Sequence, residues 1–101
     1  MSKVAIVTYT VKEDAAGENK KYIEAVFEKL KELSPEGVQY ASTLADDGVT
    51  FIHIAHFETE EAQKALTELP EFLEFQRELK SRCDIPPNPR FCDIVGAYNL
   101  F

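Results

Sequence analysis

The sequence has no tryptophan, one methionine and two cysteines among its 101 residues. None of its apolar runs approaches the ~20 residues that a membrane-spanning helix needs. Cys83 and Cys92 are too few for a disulfide framework, and a Cys-x8-Cys pair lacks metal-site spacing. They read as small buried hydrophobes in a reduced, cytoplasmic protein. A bridge across the Pro-rich loop between them is the alternative. Basic residues are also scarce: 11 Lys and Arg stand against 18 Asp and Glu, a net charge of -7 with a pI near 4.8. That balance argues against a phosphate backbone, which needs clustered cations, and against an anionic membrane surface. The opening MSKVAIVTYTVKED is too short and too alternating for a signal peptide. Gly-rich phosphate loops, His-Glu metal clusters and Ser-His-Asp patterns are missing too.

What is present suits one small domain over residues 1–101, with 45% apolar and 11% aromatic residues to fill a core. Residues 3–11, KVAIVTYTV, are β-branched and free of Gly and Pro, which predicts a strand. Residues 12–18 are polar and read as a loop. From Asn19 to Leu33 the apolar residues Tyr22, Ile23, Val26, Phe27, Leu30 and Leu33 recur at steps of three and four, one face of a helix. Ser34-Pro35-Glu36-Gly37 stops it. Residues 38–44 and 49–57 predict two further strands around an Asp46-Asp47-Gly48 turn. Thr59 stands where a helix N-cap belongs, with Glu60 and Glu61 at the positive end of the dipole. A short helix through Leu69 breaks at Pro70 and resumes through Cys83. Residues 84–90, DIPPNPR, read as a stiff loop and residues 91–101 as a long last strand. The order βαββαβ predicts a ferredoxin-like α+β fold with a four-stranded antiparallel sheet.

The two histidines stand three apart in VTFIHIAHFET. On a helix they would be neighbours; on a strand an odd separation puts them on opposite faces. Phe51, His53, Ala55 and Phe57 share one face, and Thr50, Ile52, Ile54 and His56 the other. Chelation of one metal ion by both rings of a subunit is thereby excluded, and no metal site is expected. His56 is expected at a subunit seam or a solvent edge.

The first and third strands carry large apolar groups on both faces, while helices in an antiparallel α+β domain cover only one. Each large apolar side chain left in water forgoes about 1.5–3 kcal/mol. A second copy of the same sheet is the simplest cover, so a homodimer with sheets packed face to face is expected.

Two segments carry a family resemblance. SPEGVQYAS resembles the helix-Gly-aromatic entry to the second strand of dimeric α+β barrel proteins. IAHFETEEAQKALTELPEFLEFQREL resembles the third-strand and second-helix segment of the antibiotic-biosynthesis-monooxygenase group. The element order matches over essentially the whole chain. The resemblance implies a homodimer with one pocket per subunit between sheet and helices. Some members oxidise phenolic or quinol substrates with O2 and no bound cofactor; others degrade haem. The quinone-forming members place a polar residue and a Trp four apart on the third strand, where His53 and Phe57 stand here. The haem-degrading members need a His and a Trp on the second helix, where Gln76 and Leu66 stand, and a first-strand Asn, where Val7 stands. No cofactor is therefore expected.

His53 is the candidate base, since a neutral imidazole can take a proton from a phenol, whose anion reacts more readily with O2. Phe57 and Phe75 are candidate pocket walls. Tyr9 and Tyr98 are candidate orienting groups, with Tyr40 and Asn99 as further hydrogen-bond donors and Arg77 and Arg90 as possible holders of a carboxylate or phenolate. The expected function is binding of a small aromatic or apolar molecule, with monooxygenation of quinol-type substrates as the catalytic form. A non-catalytic ligand-binding or interaction module on the same fold is the alternative.

Overall fold

The computed structural model describes residues 3–100. Strand β1 (Lys3–Val11) leads through a 3-10 turn (Glu13–Ala15) into helix α1 (Ala16–Leu33). Strands β2 (Val38–Leu44) and β3 (Thr50–Phe57) form a hairpin, and helices α2 (Glu60–Thr67), α3 (Pro70–Arg77) and α4 (Leu79–Arg82) carry the chain back to strand β4 (Cys83–Asp93). The sheet is antiparallel throughout, in the order β2-β3-β1-β4. This is the ferredoxin-like α+β arrangement expected from the sequence.

Local chemistry explains the element ends. Asp47 closes the β2–β3 turn by accepting from the Val49 and Thr50 amides, each at 2.9 Å, and from the Thr50 hydroxyl at 2.6 Å. The Thr59 hydroxyl accepts from the Ala62 amide at 3.1 Å and caps α2 as expected. Pro70 opens α3 at its first turn, where a missing N–H costs nothing. Helix α1 begins earlier than its apolar stripe, at Ala16 rather than Asn19. Ala15 and Ala16 are strong helix formers, and Glu13 and Asp14 stand at the positive end of the turn.

The last strand departs from expectation. It occupies residues 83–93, through DIPPNPR, and the expected strand over 91–101 dissolves after Asp93; Phe101 lies outside the described residues. β4 is an edge strand paired only with β1. On an edge, Pro can turn its donor-less nitrogen outward, which suits Pro87 and Pro89 of one parity, while Pro86 falls in the irregular stretch between Ile85 and Asn88. Register shifts opposite Thr8–Val11 absorb the remaining irregularity. Residues 94–100 have no neighbouring strand in this chain, whatever their composition favours. Cys83 and Cys92 are both free thiols at opposite ends of this one strand, which rules out a bridge within the subunit.

The core lies between the helices and one sheet face, around Tyr9, Val11, Val26, Phe51, Leu66, Leu69, Phe75 and Leu79. The opposite face carries Val4, Ile6, Ile52, Ile54 and His56, as the alternation requires. His56 donates through Nδ1 to Gln39 Oε1 at 2.7 Å.

Gly37 has a φ of 78°, and a Cβ there would stand 3.2 Å from both the Ala62 and Glu58 Cβ atoms. Gly17 stands in α1 with nothing within 4 Å of a built Cβ. Gly37→Ala is expected to destabilise by about 1–2 kcal/mol and Gly17→Ala to stabilise by up to ~1 kcal/mol. Urea denaturation of the two variants measures both, and equal effects would contradict the assignment.

Candidate functional site

A cleft of about 770 Å³ opens between the sheet and helices α2 to α4. That volume is within the range of small-molecule sites. Its floor is Ala5, Val7, Tyr9, His53, Ala55 and Phe57, all on the helix-facing side of β1 and β3. Leu66, Phe72, Phe75 and Leu79 come down from the helices, and Pro87, Pro89 and Phe91 close the β4 side. The charged residues on its lining are Lys3 and Lys80.

His53 sits mid-strand, opposite Val7 on β1 and Ser42 on β2. It is 5% exposed. Both ring nitrogens are engaged. Nε2 is 2.8 Å from the Tyr9 hydroxyl, and Nδ1 is 2.6 Å from the Tyr40 hydroxyl; Ser42 Oγ stands 3.4 Å from Nε2. Aromatic rings enclose the imidazole, with centroids at 5.3 Å for Tyr9, 5.5 Å for Phe75 and 5.8 Å for Tyr40. Burial pushes the His53 pKa down to about 4, so the ring is neutral at physiological pH. Burial likewise raises the Tyr9 and Tyr40 phenols above their ordinary range, although the Asn19 hydrogen bond pulls Tyr9 back in part.

Polar contacts continue behind Tyr9. Asn19 Nδ2 donates to the Tyr9 oxygen at 2.9 Å, and Arg82 Nε donates to Asn19 Oδ1 at 3.1 Å. Arg82 Nη2 donates to the Phe75 carbonyl at 2.7 Å, and its guanidinium lies over the Tyr22 ring at 4.5 Å. No carboxylate pairs with Arg82 among the described residues.

Of the residues singled out from sequence, His53, Tyr9, Phe57 and Phe75 line one cleft, and Tyr40 joins them. Tyr98 does not: it is 88% exposed in the irregular segment after β4, because the strand expected to carry it ends at Asp93. Asn99 lies in that same segment. Arg77 pairs with Glu74 on the surface, and Arg90 is exposed on the far side of β4. Asn19 and Arg82 escaped the sequence reading. Each occupies an apolar stripe, Asn19 before Tyr22, Ile23 and Val26, and Arg82 after Phe75 and Leu79. A polar residue at a stripe position is the signal that marked both.

The sequence matches no family model and no curated protein. Many solved structures share its fold. A candidate antibiotic biosynthesis monooxygenase from Nitrosomonas europaea superimposes with a TM-score of 0.75 at 17% identity, over 92% of this chain and 89% of that one. An antibiotic biosynthesis monooxygenase with a TM-score of 0.76 is 12% identical over 93% and 99% of the two chains. A Streptomyces coelicolor monooxygenase in complex with the ligand nanaomycin D has a TM-score of 0.65 at 24% identity, over 96% and 90%. The resemblance seen in SPEGVQYAS and IAHFETEEAQKALTELPEFLEFQREL therefore holds at the level of fold: the chain has the ferredoxin-like architecture of the antibiotic-biosynthesis-monooxygenase structures.

A buried neutral histidine makes stability depend on pH. The unfolded ring titrates near 6.5 and the folded one near 4, so the unfolded state binds the extra proton between these values. The contribution is complete above about pH 6.5 and is lost as pH falls toward 4, by on the order of 3 kcal/mol. Denaturation midpoints of wild type and His53→Gln across this window are expected to converge as pH falls. Parallel pH profiles would contradict the burial of a neutral ring.

Proposed function

We propose that the chain binds a small aromatic molecule in the cleft between sheet and helices, and in its catalytic form oxidises a quinol or phenol with O2 without a bound cofactor. The observation carrying this reading is a largely apolar, aromatic-walled cleft with the hydrogen-bonded pair His53 and Tyr40 at its inner wall. The Streptomyces coelicolor monooxygenase in complex with the ligand nanaomycin D supports small-molecule binding on this fold. Phe57, Phe75 and Tyr9 serve as walls that stack on or flank the guest.

The proton-accepting role expected for His53 gives way here to an orienting one. A ring with a pKa near 4 taking a proton from a phenol of pKa near 10 faces a cost of about 8 kcal/mol. Both nitrogens are also already bonded to tyrosines. His53 then holds Tyr40 in place, and the guest hydroxyl or carbonyl meets the Tyr40 oxygen. The same two facts favour a second reading, a binding module that performs no chemistry.

Homodimerisation through the open sheet face belongs to the same proposal. Ile6, Ile52 and Ile54 stand half-buried on that face, and in the segment after β4 Val95, Tyr98 and Leu100 leave apolar surface exposed at 102%, 88% and 68%. Burying them against a second copy removes the penalty of holding them in water.

Oxygen uptake with a panel of naphthoquinols tests the chemistry. Uptake above autoxidation, cut at least ten-fold in His53→Ala, is expected; full activity in that variant, or none in wild type, removes catalysis. Ala55→Phe is expected to fill the floor of the cleft and abolish binding of the same compounds, read by calorimetry. Light scattering at micromolar concentration is expected to give the mass of two chains, and the mass of one chain with native spectra would end the dimer.

A further inference from the structure

We infer that the buried side chains Arg82, Asn19, Tyr9 and His53 and the half-buried Tyr40 form a one-way hydrogen-bond chain that makes Tyr40 a fixed donor to the cleft, so that the guest meets this wall with an acceptor oxygen, a ring carbonyl or a phenolate. The inference rests on the proposed binding of an aromatic guest and names the edge of it that is recognised.

Direction follows from counting hydrogens. Arg82 has only donors, so the Asn19 atom 3.1 Å from its Nε must be the carbonyl oxygen. That orients the amide and turns Nδ2 toward the Tyr9 oxygen at 2.9 Å as a donor. Tyr9 then accepts from Asn19, and its single hydrogen is available for His53 Nε2 at 2.8 Å. Nε2 is therefore an acceptor. A neutral imidazole accepting at Nε2 carries its hydrogen on Nδ1, which donates to the Tyr40 oxygen at 2.6 Å. The hydrogen of Tyr40 remains, with no protein acceptor among the described residues, on a side chain that lines the cleft.

The opposite direction leaves a hydrogen stranded. Were Nε2 to donate, the Tyr9 oxygen would accept twice, at 2.8 and 2.9 Å, and its own hydrogen would be unpartnered on a residue that is 1% exposed. Electrostatics agrees with the first direction. Arg82 is a buried cation without a carboxylate, and every bond in the chain points its positive hydrogen end away from that charge and toward the cleft. The positive end of the chain is thus delivered at Tyr40, where an oxygen bearing negative charge gains most.

The tautomer of His53 is read directly by long-range proton–nitrogen NMR on histidine-labelled full-length chain, with His56→Gln giving the assignment. An acceptor-type Nε2 and a protonated Nδ1 are expected; a protonated Nε2 overturns the inference. Asn19→Asp places an acceptor-only carboxylate between Arg82 and Tyr9, which draws the Tyr9 hydrogen toward itself and should switch His53 to the Nε2–H tautomer. An unchanged tautomer in that variant also overturns it. For recognition, 1-tetralone and tetralin differ by one carbonyl oxygen. Wild type is expected to bind 1-tetralone about ten-fold more tightly, and Tyr40→Phe to erase the difference while still binding tetralin. A preference that survives in Tyr40→Phe rejects Tyr40 as the donor. Failure of both probes to bind wild type rejects the aromatic-guest reading and the task given to Tyr40, while the NMR result independently decides the direction of the chain.

Discussion

A neutral imidazole held between two phenols is the constraint around which the rest of this structure is arranged. A buried histidine is tolerable only when both ring nitrogens are satisfied, and satisfying both without a carboxylate requires one donor and one acceptor of fixed placement. Tyr9 on β1 and Tyr40 on β2 supply them from the strands on either side of His53. Three adjacent strands are therefore tied together by side chains as well as by their backbone ladders. Tyr9 needs a second partner because its oxygen retains lone pairs, and this brings Asn19 of α1 into the core at 0% exposure. Asn19 in turn meets Arg82 at the end of the helical layer. The network connects the sheet, the first helix and the last helix through one set of polar contacts.

This polar core changes what the cleft can be. Had the inner wall been apolar, the cavity would discriminate only by shape, where one methylene is worth about 1–3 kcal/mol. A half-buried hydroxyl with an unused hydrogen discriminates more sharply, because a guest that covers it without a matching acceptor strands it. Among the remaining walls the rings and prolines offer surface without losing much conformational freedom. The two faces of the sheet are thereby specialised. The helix-facing side holds the cleft, while the opposite side carries Ile6, Ile52 and Ile54.

The fold was legible because strand and helix periods separate cleanly in this chain. β-branched alternation in KVAIVTYTV and VTFIHIAHF, and a three-four stripe in α1, leave little ambiguity. The division of the two histidines between faces followed from parity alone. The last strand was misread for a reason that local sequence cannot supply. DIPPNPR has the composition of a loop, and becomes a strand only because it lies on an edge where one side needs no donors. Residues 91–101 have the composition of a strand, but among the described residues 94–100 have no neighbouring strand with which to pair. Tyr98 left the site with that error. Asn19 and Arg82 were hidden differently: each was visible as a polar residue on an apolar stripe, but that they meet, across 63 positions, is a property of the tertiary structure.

Likeness of fold at 12–24% identity constrains architecture and leaves chemistry to the side chains of this chain. Those side chains make the weight of the case asymmetric. An enclosed aromatic cleft needs only apolar volume, and the lining supplies it. General acid–base catalysis needs a group that changes protonation during the reaction, yet the polar centre is built to resist such change: burial lowers the affinity of His53 for a proton and raises that of Tyr9 and Tyr40. All three groups are thereby held in their neutral forms, as donors and acceptors of defined direction. A site of this kind stabilises charge that appears on the guest by orienting hydrogen bonds toward it in advance. Any oxidation performed here would therefore depend on how the guest's own electrons are disposed toward O2, with the protein fixing the guest and polarising one oxygen rather than exchanging protons with it.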